Sequence, residues 1–186
     1  MALTSFDSLK SGHSVSGVVH RTSGLQDLAV DIAADGQAPK STTWAFGSSG
    51  ADTVNQVLRF IFTATKNTTT SLDLSGVTTN VTGETAVTLT KVKFMKLEYL
   101  TTSQDSTNGT ASTGNVSISP GAANPITTSP LGTAEVYVMK PGDVWIMEKH
   151  DTGGFTVTGG SADTFDFLHS DTSADAAIRV TIYGNS

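Results

Sequence analysis

Residues 135–148 read Glu135-Val136-Tyr137-Val138-Met139, then Lys140-Pro141-Gly142-Asp143, then Val144-Trp145-Ile146-Met147-Glu148. Two short runs rich in β-branched and aromatic side chains are cut by a turn in which proline presets φ and glycine accepts a left-handed backbone. The same alternation returns at 155–158, 163–168 and 177–183, separated by Asp151-Thr152-Gly153-Gly154, Gly159-Gly160-Ser161 and the polar stretch 170–175. Strand-length runs spaced by roughly 8–12 residues define an all-β sandwich or barrel. The expectation is one antiparallel β-sandwich, jelly-roll-like, over residues 23–186. The paired glycines read as hairpin residues supplying positive φ, not as phosphate cradles.

Working back toward the start, the run 87–100 changes apolar phase. Val87 and Leu89 are odd, Val92 and Phe94 even, and Met95, Leu97 and Tyr99 odd again. A bulge near Met95, or a strand buried on both faces, accounts for the slip. In 54–64 Leu58, Phe60, Phe62 and Ala64 share one face while Arg59, Ile61 and Thr63 share the other. Both faces are partly apolar, so this strand is central or covered by a neighbour. Short strands are expected at 71–74 and 115–119, a loop at 101–114 and an ordered crossing at 120–132. Leu28, Val30 and Ile32 alternate within 25–33, which reads as a strand. The stretch 35–52, with Trp44 and Phe46 among glycines and serines, reads as a loop plugging one end of the sandwich. Residues 1–22 read as an extended N-terminal arm or an edge strand, the arm being favoured.

Of 186 residues only 15% are charged, and 30 Thr and 21 Ser carry the polar load. Threonine suits a pleated surface because its β-branch stiffens χ1. A surface poor in Lys and Glu is also easily desolvated against another protein. The net charge of −6 disfavours a nucleic-acid partner. Lys91, Lys93 and Lys96 are the one basic cluster and are expected to form a solvated strand edge that discourages edge pairing. The chain has no cysteine, so disulfides, thiolate catalysis and cysteine zinc sites are excluded. No run approaches a membrane span and no leader pattern opens the sequence, so cytoplasmic synthesis is the simplest expectation. The sequons at Asn67, Asn80, Asn108 and Asn115 then follow from an Asn/Thr-rich composition.

Chemistry-bearing patterns are sparse. His13, His20, His150 and His169 lack metal-ligand spacing and fall at arm or turn positions, which assigns them to the surface. Asp163, Asp166, Asp171 and Asp175 lack the dense alternation of a calcium loop. There is no nucleophile elbow, phosphate loop or dinucleotide fingerprint. No cofactor, metal or catalytic residue is expected, and the chain reads as one that performs no reaction. Trp145, Phe155, Phe165 and Phe167 are expected in the core, with a sugar-stacking platform as the alternative.

Ser71-Leu72-Asp73-Leu74-Ser75-Gly76, Lys91-Val92-Lys93, Lys140-Pro141-Gly142-Asp143-Val144, Asp151-Thr152-Gly153-Gly154-Phe155-Thr156-Val157 and Ile178-Arg179-Val180-Thr181-Ile182-Tyr183-Gly184 together resemble a family of small structural proteins of tailed bacteriophages. The likeness covers residues 51–186. It departs where Asp143 replaces the second glycine of a Pro-Gly-Gly turn and where Phe155 replaces an aromatic with a polar handle. The resemblance implies a capsid decoration, or cement, protein on the outer surface of the virion head. Its partners are then the major capsid protein and further copies of itself, as a trimer or alternatively a dimer. A tail or fibre sandwich and a carbohydrate-binding module are the alternatives. Ser14, Val15, Val18, Val19, His20 and Arg21 in the arm, with Trp44 and Phe46, are the candidate partner contacts.

Overall fold

The computed structural model describes residues 5–11, 16–20, 42–47, 49–77, 86–101, 112–126, 128–132 and 135–186. They form strands and turns with no helix. In chain order the strands are β1 (Ser5–Ser11), β2 (Ser16–His20), β3 (Thr42–Phe46), β4 (Thr53–Val54), β5 (Gln56–Ala64), β6 (Thr69–Asp73) and β7 (Lys91–Tyr99). They continue as β8 (Val116–Pro120), β9 (Tyr137–Met139), β10 (Val144–Glu148), β11 (Phe155–Thr156), β12 (Thr164–His169) and β13 (Ala176–Asn185).

Two sheets face each other. One is five-stranded, in the order β10-β7-β13-β5 with β11 also on β7; the other is four-stranded, in the order β6-β12-β8-β9. Every pairing in both is antiparallel. Between them lies the main core. Leu58, Phe60, Met95, Leu97, Ile178, Val180 and Ile182 come from the first sheet and Leu72, Val116, Ile118, Met139, Phe165 and Phe167 from the second. Full burial of each such side chain contributes about 1.5–3 kcal/mol. Phe62 meets Phe167 at 4.8 Å, and Trp145 meets Phe165 edge-on at 6.1 Å.

A third sheet, in the order β2-β1-β3-β4, packs on the outer face of the five-stranded sheet. Trp44 and Val54 are buried there against Phe94 and Tyr183, with Val57 and Ile146 alongside. Tyr183 stacks on Phe94 at 4.8 Å and meets Trp44 edge-on at 6.5 Å. This second core explains why β5 and β7 are apolar on both faces. Of the stretch read as a loop at 35–52, residues 42–46 form β3 while residues 49–52 are bends and turns, and Trp44 is interior. Within the stretch read as an arm or an edge strand, residues 5–11 and 16–20 form β1 and β2; β1 pairs with both β2 and β3, and β2 lies at the edge of the sheet. The strand expected at 25–33 lies outside the described residues, as does most of the loop expected at 101–114.

The phase slip in 87–100 has a defined origin. Tyr183 pairs with Phe94 but Gly184 pairs with Val92, so Lys93 is an extra residue on β7. The bulge returns Val92 to the face of Met95, Leu97 and Tyr99 in the main core, while Phe94 joins the second core. It also corrects the expectation for the lysines. β7 runs between β13 and β10–β11, so Lys93 and Lys96 are buried rather than lining a solvated edge. The Lys93 ammonium donates to the Asp151 carbonyl, and burial, opposed by Asp151, lowers its pKa. Lys96 reaches Glu98 at 3.1 Å, and Arg179 reaches the same carboxylate at 3.8 Å.

Gly184 faces the bulge so closely that a Cβ there would lie 2.5 Å from the Lys91 carbonyl and 3.2 Å from Leu89 Cδ2. The first obstacle is backbone, which has no rotamer to yield. Gly184→Ala should therefore cost about 1–3 kcal/mol by urea unfolding. An unchanged midpoint would show that the bulge is free to widen.

Candidate contact surface

The two outer faces of the sandwich differ in chemistry. On the five-stranded sheet Arg59, Lys96, Glu98 and Arg179 point outward and Trp44 and Val54 cover part of the face. On the four-stranded sheet the strands contain no Lys, Arg or Glu at all. Register places Leu168 between Thr69 and Ser117, with Val138 beyond Ser117. The next row places Asp166 between Ser71 and Ser119. Leu168 is 52% exposed and Val138 48%, and Val136, two residues before Val138, is 57% exposed.

The carboxylates of this face are already satisfied within the fold. Asp166, largely buried, accepts from Ser71 Oγ at 2.5 Å and from the Ala122 amide at 2.7 Å. Asp73 accepts from the Ser75 amide and hydroxyl, both at 2.7 Å. What remains is a face of hydroxyls and aliphatic side chains with one exposed carboxylate, Asp73, at the end of the edge strand β6. Covering its centre, around Leu168 and Val138, removes no exposed ion from water, so the cost of desolvation there is low. Strand composition carries this feature in the sequence, but it emerges only when register brings β6, β12, β8 and β9 side by side.

Of the residues expected to contact partners, Trp44 has no exposed surface and Phe46 is 43% exposed. Val18, Val19 and His20 lie on β2 at the edge of the third sheet. Ser14, Val15 and Arg21 lie outside the described residues, as does His13. The sugar-stacking alternative needs exposed aromatics, yet Trp44, Trp145, Phe155, Phe165 and Phe167 are all buried.

His169 departs most from the sequence reading. It is the last residue of β12 and is fully buried, not at the surface. Its Nε2 lies 2.7 Å from Ser112 Oγ, which accepts from Tyr99 OH at 2.8 Å and donates to Asp171 Oδ2 at 3.1 Å. A serine beside an imidazole suggests a nucleophile and its base, but the geometry is wrong for that. The carboxylate contacts the serine rather than His169 Nδ1, which makes no hydrogen bond of normal geometry. Ser112 and Tyr99 are buried as well. The network instead pins the end of β7, the segment entering β8 and the turn after β12 to one another. Asp171, which also accepts from Ser173 and the Thr113 amide, is held well below the usual carboxylate range by those bonds.

His150 does lie at the surface, between Asp52 and Glu148. The two carboxylates address opposite ring nitrogens and do not converge on a point. Among the described residues no group of three or more His, Asp or Glu is arranged to hold a metal ion, and no helix is long and apolar enough to cross a membrane. Comparison with protein-family models, curated proteins and solved structures finds no match to this chain.

Burial is the largest influence on His169 and pushes its pKa down, against the pull of Asp171, the Ala64 backbone and Asp175. The unfolded chain takes up a proton near about pH 6.5 that the folded chain refuses. Stability is thus present above that pH and is lost as pH falls through it. The melting temperature should drop between about pH 7.5 and pH 5.5, and His169→Asn should remove that part of the slope. A variant with the parent's full slope would place its origin elsewhere.

Proposed function

We propose that this chain is a structural protein of a tailed-bacteriophage virion, a head decoration protein that lies on the outer capsid surface and stabilises contacts between major capsid subunits. The observation that carries the reading is the strand order. Count β5, β6, β7, β8, β9, β10, β12 and β13 as eight successive strands. The sixth, third, eighth and first then form one sheet, and the second, seventh, fourth and fifth form the other. We read this as the double Greek key of a jelly roll, an architecture used by viral capsid and lectin domains. Architecture alone does not choose between those uses. The buried aromatics favour a packed body over a sugar platform, and the outer face of the four-stranded sheet, whose strands carry no Lys, Arg or Glu, supplies a surface for docking on protein.

The physical logic is that of repeated weak contacts. A stiff sandwich loses little conformational freedom on docking, and many copies on one shell turn modest individual affinities into a stable coat. Self-association about a symmetry axis, as a trimer in the favoured version, places several such faces on the lattice at once. The third sheet, with Val18, Val19 and His20 on its edge strand, is then positioned to reach a neighbouring subunit.

The test mixes the purified protein with phage heads that lack it and follows occupancy by electron microscopy. The parent protein should coat the heads. Val138→Glu with Leu168→Glu places two carboxylates on the docking face at half-exposed positions, so the fold persists while affinity falls by about tenfold or more. Full occupancy by that variant would remove the four-stranded face from the interface. Attachment of the parent to tails alone would move the protein to the tail, and binding on a glycan array without binding to virions would replace the proposal with the carbohydrate-binding alternative.

A further inference from the structure

Both large sheets end on one flank of the sandwich. β9 is the outer strand of the four-stranded sheet, β10 is the outer strand of the five-stranded sheet, and the turn 140–143 joins them. Tyr137 of β9 and Trp145 of β10 meet with ring centroids 6.1 Å apart, which sets the two strands one above the other. Among the described residues no strand pairs with the outer side of either. The Lys149 amide donates to the Lys93 carbonyl at 2.8 Å and the Tyr99 amide to the Asp143 carbonyl at 2.9 Å, so the odd residues of β10 bond β7. The amides and carbonyls of Val144 and Ile146 face away from it. On β8 the Asn115 carbonyl accepts from Ser170 and the Gly121 amide donates to Thr164, so Val116 and Ile118 bond β9 through Met139 and Tyr137. That turns the amide and carbonyl of Val138 outward, with those of Val136 in the same phase.

Exposed edges are commonly guarded by Lys, Pro or a bulge. This flank holds Val136, Val138 and Val144 instead, three of the five exposed large apolar side chains among the described residues. The opposite flank carries Arg59 on β5 and Asp73 on β6. We infer that the β9–β10 flank is the contact of a symmetric dimer, in which β10 pairs with β10 and β9 with β9 of a second copy across one two-fold axis. The axis passes through Trp145 and Tyr137, which already overlie one another. Val144 then comes opposite Ile146 of the second copy and Val136 opposite Val138, and each such pair exchanges two hydrogen bonds between groups that face outward. An axis through Val138 would instead set Val136 against Lys140, whose amide is held by Asp143 Oδ2 at 2.8 Å. The facing pairs are β-branched and no ionised side chain meets its own image, so the chain's own edge complements itself in both sheets at once. The inference goes beyond the virion reading and does not rest on it; within that reading it selects the dimer in place of the trimer.

Sedimentation of the purified full chain tests the stoichiometry and hydrogen exchange tests the contact. Two-chain particles should form, and above the dissociation constant the Val138, Val144 and Ile146 amides should exchange about tenfold or more slowly than in dilute solution. Val136→Lys with Val144→Lys puts ammonium groups at exposed edge positions, so the sandwich folds while the dissociation constant rises by about tenfold or more. A monomer at about 100 μM, a three-chain particle, or a dimer whose Val144 and Ile146 amides exchange as fast as on dilution would each overturn the pairing. So would a folded double variant that associates as tightly as the parent. No capsid enters these measurements, so their failure is distinct from a failure to coat heads.

Discussion

The structure depends on β7 and β13 being covered on both faces. A central antiparallel pair of nine and ten residues, flanked by β10–β11 and β5, must present apolar side chains inward to the main core and outward to the third sheet. Period-two alternation satisfies one face at a time, so a strand that serves both needs apolar residues at nearly every position. β7 meets that demand with one further device. The extra residue at Lys93 resets the phase, so that Val92 and Met95 enter one core and Phe94 the other. Without the bulge, a strand in this register would point either Val92 or Met95 away from the main core.

The same bulge leaves a lysine with nowhere to go but inward, and the loop 149–154 is shaped around that consequence. Lys93 donates to the Asp151 carbonyl, Lys149 to the Gly154 carbonyl at 3.0 Å and Lys91 to the Thr152 carbonyl at 3.1 Å. The Asp151 carboxylate accepts the Gly154 amide at 2.5 Å, and Gly154 takes a φ of 58° where a Cβ would lie 2.8 Å from the Val92 carbonyl oxygen. Three ammonium groups thus satisfy backbone oxygens that a tight loop leaves without partners. Lysine serves well in this role because its long stem packs as an apolar chain while the head finds a carbonyl.

How much of this was legible in the sequence follows from the range of the forces involved. β10 occupies the run from Val144 to Glu148 that its turn and alternation predicted, and of the two glycine pairs Gly154 and Gly160 take positive φ while Gly153 and Gly159 do not. These are local matters, settled by neighbours along the chain. The slip in β7 was visible as a change of phase, but the bulge fell at Lys93 and not nearer Met95, because its place is fixed by pairing with Gly184 across the sheet. Lys93, Lys96 and His169 were misplaced for one reason: polar residue types are surface residues on average, and only distant partners permit their burial. Trp44 was taken for loop because β3 is bounded by glycine and serine, and its strand character comes from pairing with β1 and β4. The charge-poor face was present as strand composition, and four separated segments had to be aligned before it became a surface.

That alignment also explains why the two faces of the sandwich are unequal. The face carrying Lys96, Glu98 and Arg179 keeps these ions because both cations pair with Glu98 and all three flank a covered second core. An ion in such a network is costly to strip of its partners, which makes that face a poor one to rebuild against another protein. The opposite face, beside β12 and β8, has its one central carboxylate tied to Ser71 and Ala122 and is otherwise made of Ser, Thr, Leu and Val, with Asp73 at its β6 edge. A partner meeting it needs only shape and a few hydroxyl contacts, not a complementary charge at a fixed point. Such a surface tolerates small changes of angle, which the proposed role on a curved lattice requires of a protein set down on it many times over.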